Sequence, residues 1–188
     1  MRYIGIFVLI ISISINIISC DDKETTIEYK YEAQGVITDI GYTILNFTQN
    51  IPVIDTINTL NKGENPFAIA EGKNGIAANG LYEGSALIRG DYSTNGDINL
   101  NVALDNYSDN KDYKYAGNLV LTGRITYSEF PPQIRFLYYN VKGSLKLDGK
   151  FQEYIEIDVN WQNKTLIGTI TTPKKNQWGV FTFSLGYK

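Results

Sequence analysis

Alternation of apolar and polar residues with a period of two is the feature that most limits what this chain can fold into. In segment 97–105 an aliphatic residue occupies every second position, and Asp or Asn stands at most of the positions between. Segments 151–162 and 26–34 show the same alternation. Successive side chains of a β-strand point to opposite faces, so the pattern predicts antiparallel strands with one face in a core and one in water.

Further strands are predicted where β-branched and aromatic residues concentrate. These segments are 84–92, 113–127, 133–147, 165–171 and 178–187. The last of them has apolar residues on both faces, which predicts burial on both sides. Most of residues 26–188 is therefore predicted to be strand.

Short turn sequences separate the predicted strands. Asn95-Gly96 and Asp148-Gly149 favour type I′ hairpins, in which both central residues take positive φ, and Asn163-Lys164 fits a two-residue loop. Pro131-Pro132 marks a loop or an edge, because proline donates no hydrogen bond to a ladder. We therefore predict an all-β antiparallel meander that forms a β-sandwich or a barrel-like sheet, with at most one short helix.

That one helix is predicted within residues 50–63. Asn50 can cap it, Pro52 is tolerated in a first turn, and Gly63 stands where a terminating glycine would. Aliphatic residues recur there at helical spacing, at Ile51, Ile54, Ile57 and Leu60. Because the segment is also rich in β-branched residues, a strand is the alternative. The glycine-containing segment 64–82 is predicted to be irregular.

The first twenty residues have the organisation of an export signal. Arg2 precedes an apolar stretch, residues 4–18, which is too short and too interrupted for a membrane-spanning helix of about 20 residues. The sequence Ile17-Ile18-Ser19-Cys20 that follows resembles the lipobox of bacterial lipoproteins. The resemblance implies that Cys20 is diacylated on sulfur and becomes the N-terminus. An uncleaved anchor and an ordinary secretory signal are the alternatives.

This interpretation divides the chain into three parts. Residues 1–19 are the signal peptide, residues 20–25 are the lipidated Cys20 and a short polar tether, and residues 26–188 form a single β-rich domain. The expected location is the cell envelope, with the domain exported and held to a membrane by lipid. The tether is short, so the domain should lie close to the bilayer.

Histidine is absent, and Cys20 is the only cysteine. Without imidazole there is no Ser-His-Asp or Cys-His nucleophile and no His-ligated zinc or copper. One cysteine allows no intramolecular disulfide. The net charge of −3 and the lack of a basic stripe argue against nucleic-acid binding. We predict no cofactor.

Segment 91–97 matches the first half of a calcium loop. Oxygen-bearing side chains stand at alternate positions, namely Asp91, Ser93, Asn95 and Asp97. Val102 stands where the bidentate Glu would be, so we interpret the segment as a polar hairpin loop and predict no metal site. The acidic segment 105–112 is likewise predicted to be a solvated connection.

Paired carboxylates are the remaining acid–base candidates. Glu153, Glu156 and Asp158 lie on one predicted strand, and Glu156 and Asp158 share a face at about 7 Å, within the range that glycosidases use. Their polar, alternating setting predicts ordinary solvated carboxylates. We therefore predict no catalytic residue and no enzyme activity.

Three functions remain, in order of preference. The first is a non-enzymatic binding or structural module that meets an envelope protein, most simply by adding a partner strand to a sheet edge. The second is a carrier of an apolar ligand or lipid, because a long meander can close around a cavity. The third is a carboxylate-based glycan hydrolase. A filled interior favours the module, and a sealed cavity favours the carrier.

Overall fold

The computed structural model describes residues 26–70, 73–173 and 177–184. Two helices precede the strands: α1, Lys30–Asn50, and α2, Val53–Asn61. The strands are β1 (Ile69–Ala70), β2 (Lys73–Asn74), β3 (Ile76–Asn79), β4 (Glu83–Tyr92), β5 (Asp97–Ser108), β6 (Tyr113–Glu129), β7 (Pro132–Gly149), β8 (Glu153–Gln162), β9 (Thr165–Thr171) and β10 (Gln177–Ser184). Segment 64–82, predicted to be irregular, contributes the three shortest of them.

Strands β3 to β10 form one antiparallel sheet in which each strand pairs with its neighbours in sequence. The predicted all-β meander is confirmed. Within the described residues no pairing joins β10 to β3, so the sheet is open. Strands β1 and β2 form a separate two-stranded ladder.

The prediction of a strand at 26–34 was wrong, as was the limit of one short helix. Residues from Lys30 onward belong to α1, which has 21 residues. Its buried residues recur at the three- and four-residue spacing of one helix face: Ala33, Val36, Ile37, Ile40, Ile44 and Phe47. The carboxylate of Glu32 accepts the backbone N–H groups of Glu28 and Tyr29 at 2.9 and 3.0 Å, which caps the helix start. The alternating segment 26–34 thus overlaps the start of α1, whose helical pattern of apolar residues is longer.

Helix α1 occupies the concave side of the sheet. It contacts β7, β8 and β9 and both edge strands, β3 and β10, so the sheet curves around it. The side chain of Tyr139 is fully buried, and its hydroxyl donates to the Gly41 carbonyl of α1 at 3.0 Å. Its ring stacks on Trp161 at 5.8 Å. The interior is thus filled by a helix and large side chains.

The turns follow the predictions in part. Asn163 and Lys164 both have positive φ, 51° and 61°, which confirms the two-residue loop. At Asn95-Gly96 only Gly96 has positive φ, so the type I′ prediction was wrong, and the turn runs from Ser93, whose carbonyl accepts the Gly96 N–H at 2.9 Å. At Asp148-Gly149, residues 150–152 separate β7 from β8, so no two-residue turn forms there.

The remaining connections agree better with expectation. Pro132 is the first residue of β7, in the turn after β6, as its missing donor predicts. Helix α2 confirms the helix predicted within 50–63, although it begins at Val53 rather than directly after Asn50. Both features lie at the same end of the sheet, where α2 contacts β6 and β7.

Candidate functional site

Cys20, the predicted lipidation site, lies outside the described residues, and its acylation stays a prediction. The structure does show where the polypeptide joins the domain. Ile27 is buried, and its N–H donates to the carboxylate Oε2 of Glu153 at 2.9 Å. The chain is therefore fixed at the end of the sheet where β7 leads into β8.

The environment of Glu153 corrects the prediction of three solvated carboxylates. Side chains alternate between buried and exposed along β8, which buries Glu153 and leaves Glu156 and Asp158 on the outer face. Burial opposes ionisation of Asp158, but hydrogen bonds from Lys142 and Asn140 outweigh it and lower the pKa of its carboxyl. The three carboxylates do not converge on one site, because Glu153 faces away from the others.

In segment 91–97, two of the four oxygen-bearing side chains already have protein partners. Arg124 donates from Nε and Nη2 to the Asp97 carboxylate at 2.7 and 3.1 Å, and these hydrogen bonds lower the pKa of Asp97. The Asp97 N–H donates to Ser93 Oγ at 3.2 Å. Among the described residues, no cluster of three or more acidic or cysteine side chains is arranged to hold a metal ion.

Segment 105–112, predicted to be a solvated connection, instead holds part of the sheet to α1. Strand β5 continues to Ser108. Beyond it the Asp109 carboxylate accepts Nδ2 of Asn46 at 3.1 Å, Nδ2 of Asn50 at 3.2 Å and the N–H of Leu81 at 3.0 Å. The prediction was wrong at Asp109 because the partner helix was itself missing from the sequence interpretation.

Asp39 is the titratable group that sequence reasoning missed. It lies on α1, and its carboxylate accepts the Tyr115 hydroxyl at 2.7 Å and Nδ2 of Asn110. Burial raises the pKa of Asp39 to about 6 against the opposing effect of these two hydrogen bonds, and the negative charges of Asp109 and Asp112 raise it further. A carboxyl with a raised pKa can serve as an acid or base, but both Asp39 oxygens are held by protein donors. We assign it a structural role.

Two grooves on the surface are candidates for contact with another molecule. The first, of about 410 Å³, lies where the polypeptide joins the domain; its lining residues are Thr26, Lys146, Asp148, Gln152, Glu153, Tyr154 and Pro173. The second, of about 210 Å³, lies between α2 and the β6–β7 turn; it is lined by Ile54, Ile57, Asn58, Asn61, Glu129, Phe130 and Pro132.

The second groove carries the most exposed large apolar side chain of the described residues. Phe130, at the β6–β7 turn, is 93% exposed, and Ile54 of α2 is exposed beside it. Nδ2 of Asn61 donates to Oε1 of Glu129 at 2.9 Å, which holds the turn against α2. We call Ile54, Phe130 and the groove between them the Phe130 patch.

Comparison of the chain with protein-family models, curated proteins and solved structures finds no match. Within the described residues, neither helix is long and apolar enough to cross a membrane. The functional interpretation therefore depends on the residues and their geometry.

Proposed function

We propose that this chain is a non-enzymatic, lipid-anchored binding module of the bacterial cell envelope that presents the Phe130 patch to a protein partner. The observation that carries the proposal is the near-complete exposure of Phe130 on a turn that is held in place by α2. Aromatic side chains that reach a partner pocket supply much of the binding energy in protein interfaces. A fixed turn also loses little entropy on binding.

The position of the patch supports contact with a partner beyond the membrane surface. Strand β7 has 18 residues, or about 60 Å along the strand at ~3.3 Å per residue. Its first residue, Pro132, borders the patch, and Leu147 near its other end pairs with Glu153, which holds Ile27. A tether at the Ile27 end would place the patch at the far end of the sheet.

Packing of the interior favours a module over a carrier. The apolar cavity between the end of α1 and the sheet has a volume of only about 20 Å³ and is lined by residues that include Phe47, Ile51 and Phe136. Such a volume holds about one water molecule, whereas ligand sites are commonly 300 Å³ or more. Helix α1 occupies the space that a carrier would offer its ligand.

Photo-crosslinking in intact cells tests the proposal. A benzoylphenylalanine placed at Asn58, which lines the groove, should give a defined crosslinked species. Phe130→Ser in the same chain should abolish that species, and Tyr42→Ser, at an exposed tyrosine of α1, should leave it intact. A species that persists in Phe130→Ser, or a profile with only the monomer, would contradict the assignment.

A further inference from the structure

Three exposed tyrosines surround the point where the polypeptide joins the domain. Tyr29 is 54% exposed, and Tyr31 and Tyr154 are each 68% exposed. The rings of Tyr29 and Tyr31 stack at 5.5 Å with an interplanar angle of 10°. Tyr154 lines the same groove as Thr26. We call Tyr29, Tyr31 and Tyr154 the tether-end surface.

The length of chain before Thr26 limits how far this surface can lie from the predicted lipid. Five residues, 21–25, separate Cys20 from Thr26. Fully extended, they allow a separation of about 20 Å. Ile27 is buried and its N–H is bonded to Glu153, so the domain begins directly after the tether. This end of the domain is therefore held within that distance of Cys20.

From this arrangement we infer that the tether-end surface docks on the bilayer that holds the lipid, with the three tyrosine rings in the interfacial layer. The inference depends on the proposed lipid anchor at Cys20. Tyrosine has an apolar ring and a polar hydroxyl, and it concentrates at membrane–water interfaces for that reason.

Charge around the surface favours a neutral bilayer as the partner. Lys146 and Asp148 both line the groove beside Tyr154, and Glu28 is exposed next to Tyr29. With both signs present, anionic lipid gains no net attraction, so docking should depend weakly on salt and on anionic lipid. Tethering supplies the high effective concentration that a few tyrosines need in order to bind.

Tyrosine footprinting on tethered protein tests the inference. The chain beginning at Cys20 retains every contact described above, and its single thiol can be coupled to a maleimide lipid in phosphatidylcholine vesicles. Nitration by a water-soluble reagent, read by peptide mass spectrometry, should fall severalfold at Tyr29, Tyr31 and Tyr154 relative to thiol-capped free protein. Tyr42 of α1 and Tyr138, which lies at the opposite end of the β7–β8 ladder from Tyr154, are also exposed; they should react equally in both samples and serve as internal controls.

A second measurement uses a variant that keeps the fold. In Tyr29→Ser/Tyr31→Ser/Tyr154→Ser, serine remains a good residue at the start of α1, where Tyr29 is the N-cap. Neutron reflectometry should show the variant's protein layer displaced away from the bilayer, and Tyr42→Ser/Tyr138→Ser should not move it. Equal nitration of all five tyrosines in tethered and free protein would overturn the inference.

The nitration experiment distinguishes a failure of this inference from a failure of the proposed lipid anchor. Chemical coupling replaces cellular acylation, so docking of the coupled protein is measured whether or not cells lipidate Cys20. Protection that requires anionic lipid and disappears in salt would show charge-driven adsorption and would also overturn the tyrosine assignment.

Discussion

At the scale of single residues, Asp39 shows how a sheet that curves around a helix changes a side chain's chemistry. The carboxylate lies between α1 and β6, where burial raises its pKa from 3.8 to about 6. The folded state therefore binds an additional proton between these two pH values. The resulting contribution to stability is fully present below the unfolded pKa and is lost as the pH rises through about 6.

Asp39→Asn should remove this pH dependence. A shift of about two pKa units corresponds to about 3 kcal/mol, so the free energy of unfolding of the wild type should fall by up to that amount relative to the variant between pH 4 and pH 7. Any constant cost of placing an amide beside Asn110 cancels in the comparison of slopes. Urea unfolding at several pH values measures the effect, with Asp55→Asn on the exposed face of α2 as the control. Parallel profiles for wild type and Asp39→Asn would contradict the assignment.

At the scale of elements, the close approach of α1 to β9 depends on a glycine. A Cβ at Gly168 would lie 2.6 Å from Cγ2 and 3.2 Å from Cδ1 of Ile37, inside van der Waals contact. Cγ2 is attached directly to the Ile37 Cβ, so it moves only if χ1 leaves the rotamer that a helix strongly prefers or if the helix itself shifts. The contact explains why a strand with ordinary β-forming residues carries a glycine opposite the helix.

Gly168→Ala should destabilise the domain by about 1–3 kcal/mol through overpacking. Ile37→Ala alone should cost about 2–5 kcal/mol through the cavity that it leaves. The double variant should cost less than the two single variants together, because each change relieves the other's defect. Chemical denaturation of the four proteins measures the coupling, and strict additivity would show that α1 and β9 are not in direct contact at this point.

At the scale of the whole molecule, a helix inside a curved sheet leaves the two ends of the domain with different surfaces. One end holds Ile27, Glu153 and the tether-end surface. The Phe130 patch lies at the other end of β7. A lipid at Cys20 would orient the domain with the tether-end surface toward the membrane and the Phe130 patch away from it.

Cys20→Ser should prevent lipidation and leave an unprocessed or mislocalised precursor, because the sulfur is the acylation site that the lipobox resemblance implies. The domain itself should fold unchanged, since the buried core that the structure describes is built from Ile27 and the residues after it. Mass spectrometry of wild-type membrane fractions should find Cys20 modified by diacylglycerol. Recovery of a free Cys20 thiol from that fraction would refute the anchor.

The antiparallel meander could be predicted from the sequence because its cause is local. In a strand with one buried face, apolar and polar residues alternate along the strand itself. The strands β5 and β8 can therefore be recognised in the sequence without knowledge of their neighbours. The loop at Asn163-Lys164 is equally local, since Asn tolerates the positive φ that Asn163 adopts and the strand residues on either side fix the position of the loop. The lipobox resemblance depends only on Cys20 and the residues directly before it.

Features that depend on two distant elements were decided by the tertiary structure. The start of α1 alternates as a strand does, and only the concave space inside the sheet selects the helical face that contains Ala33 and Ile37. Once α1 fills that space, Asp39 is buried, and the polypeptide before the helix lies where Glu153 accepts the Ile27 N–H. Sequence by itself determined the strands from β4 to β10, because pleating is a property of one segment. Which carboxylates become buried depends on the elements that pack over them, and those elements come together only in the folded chain.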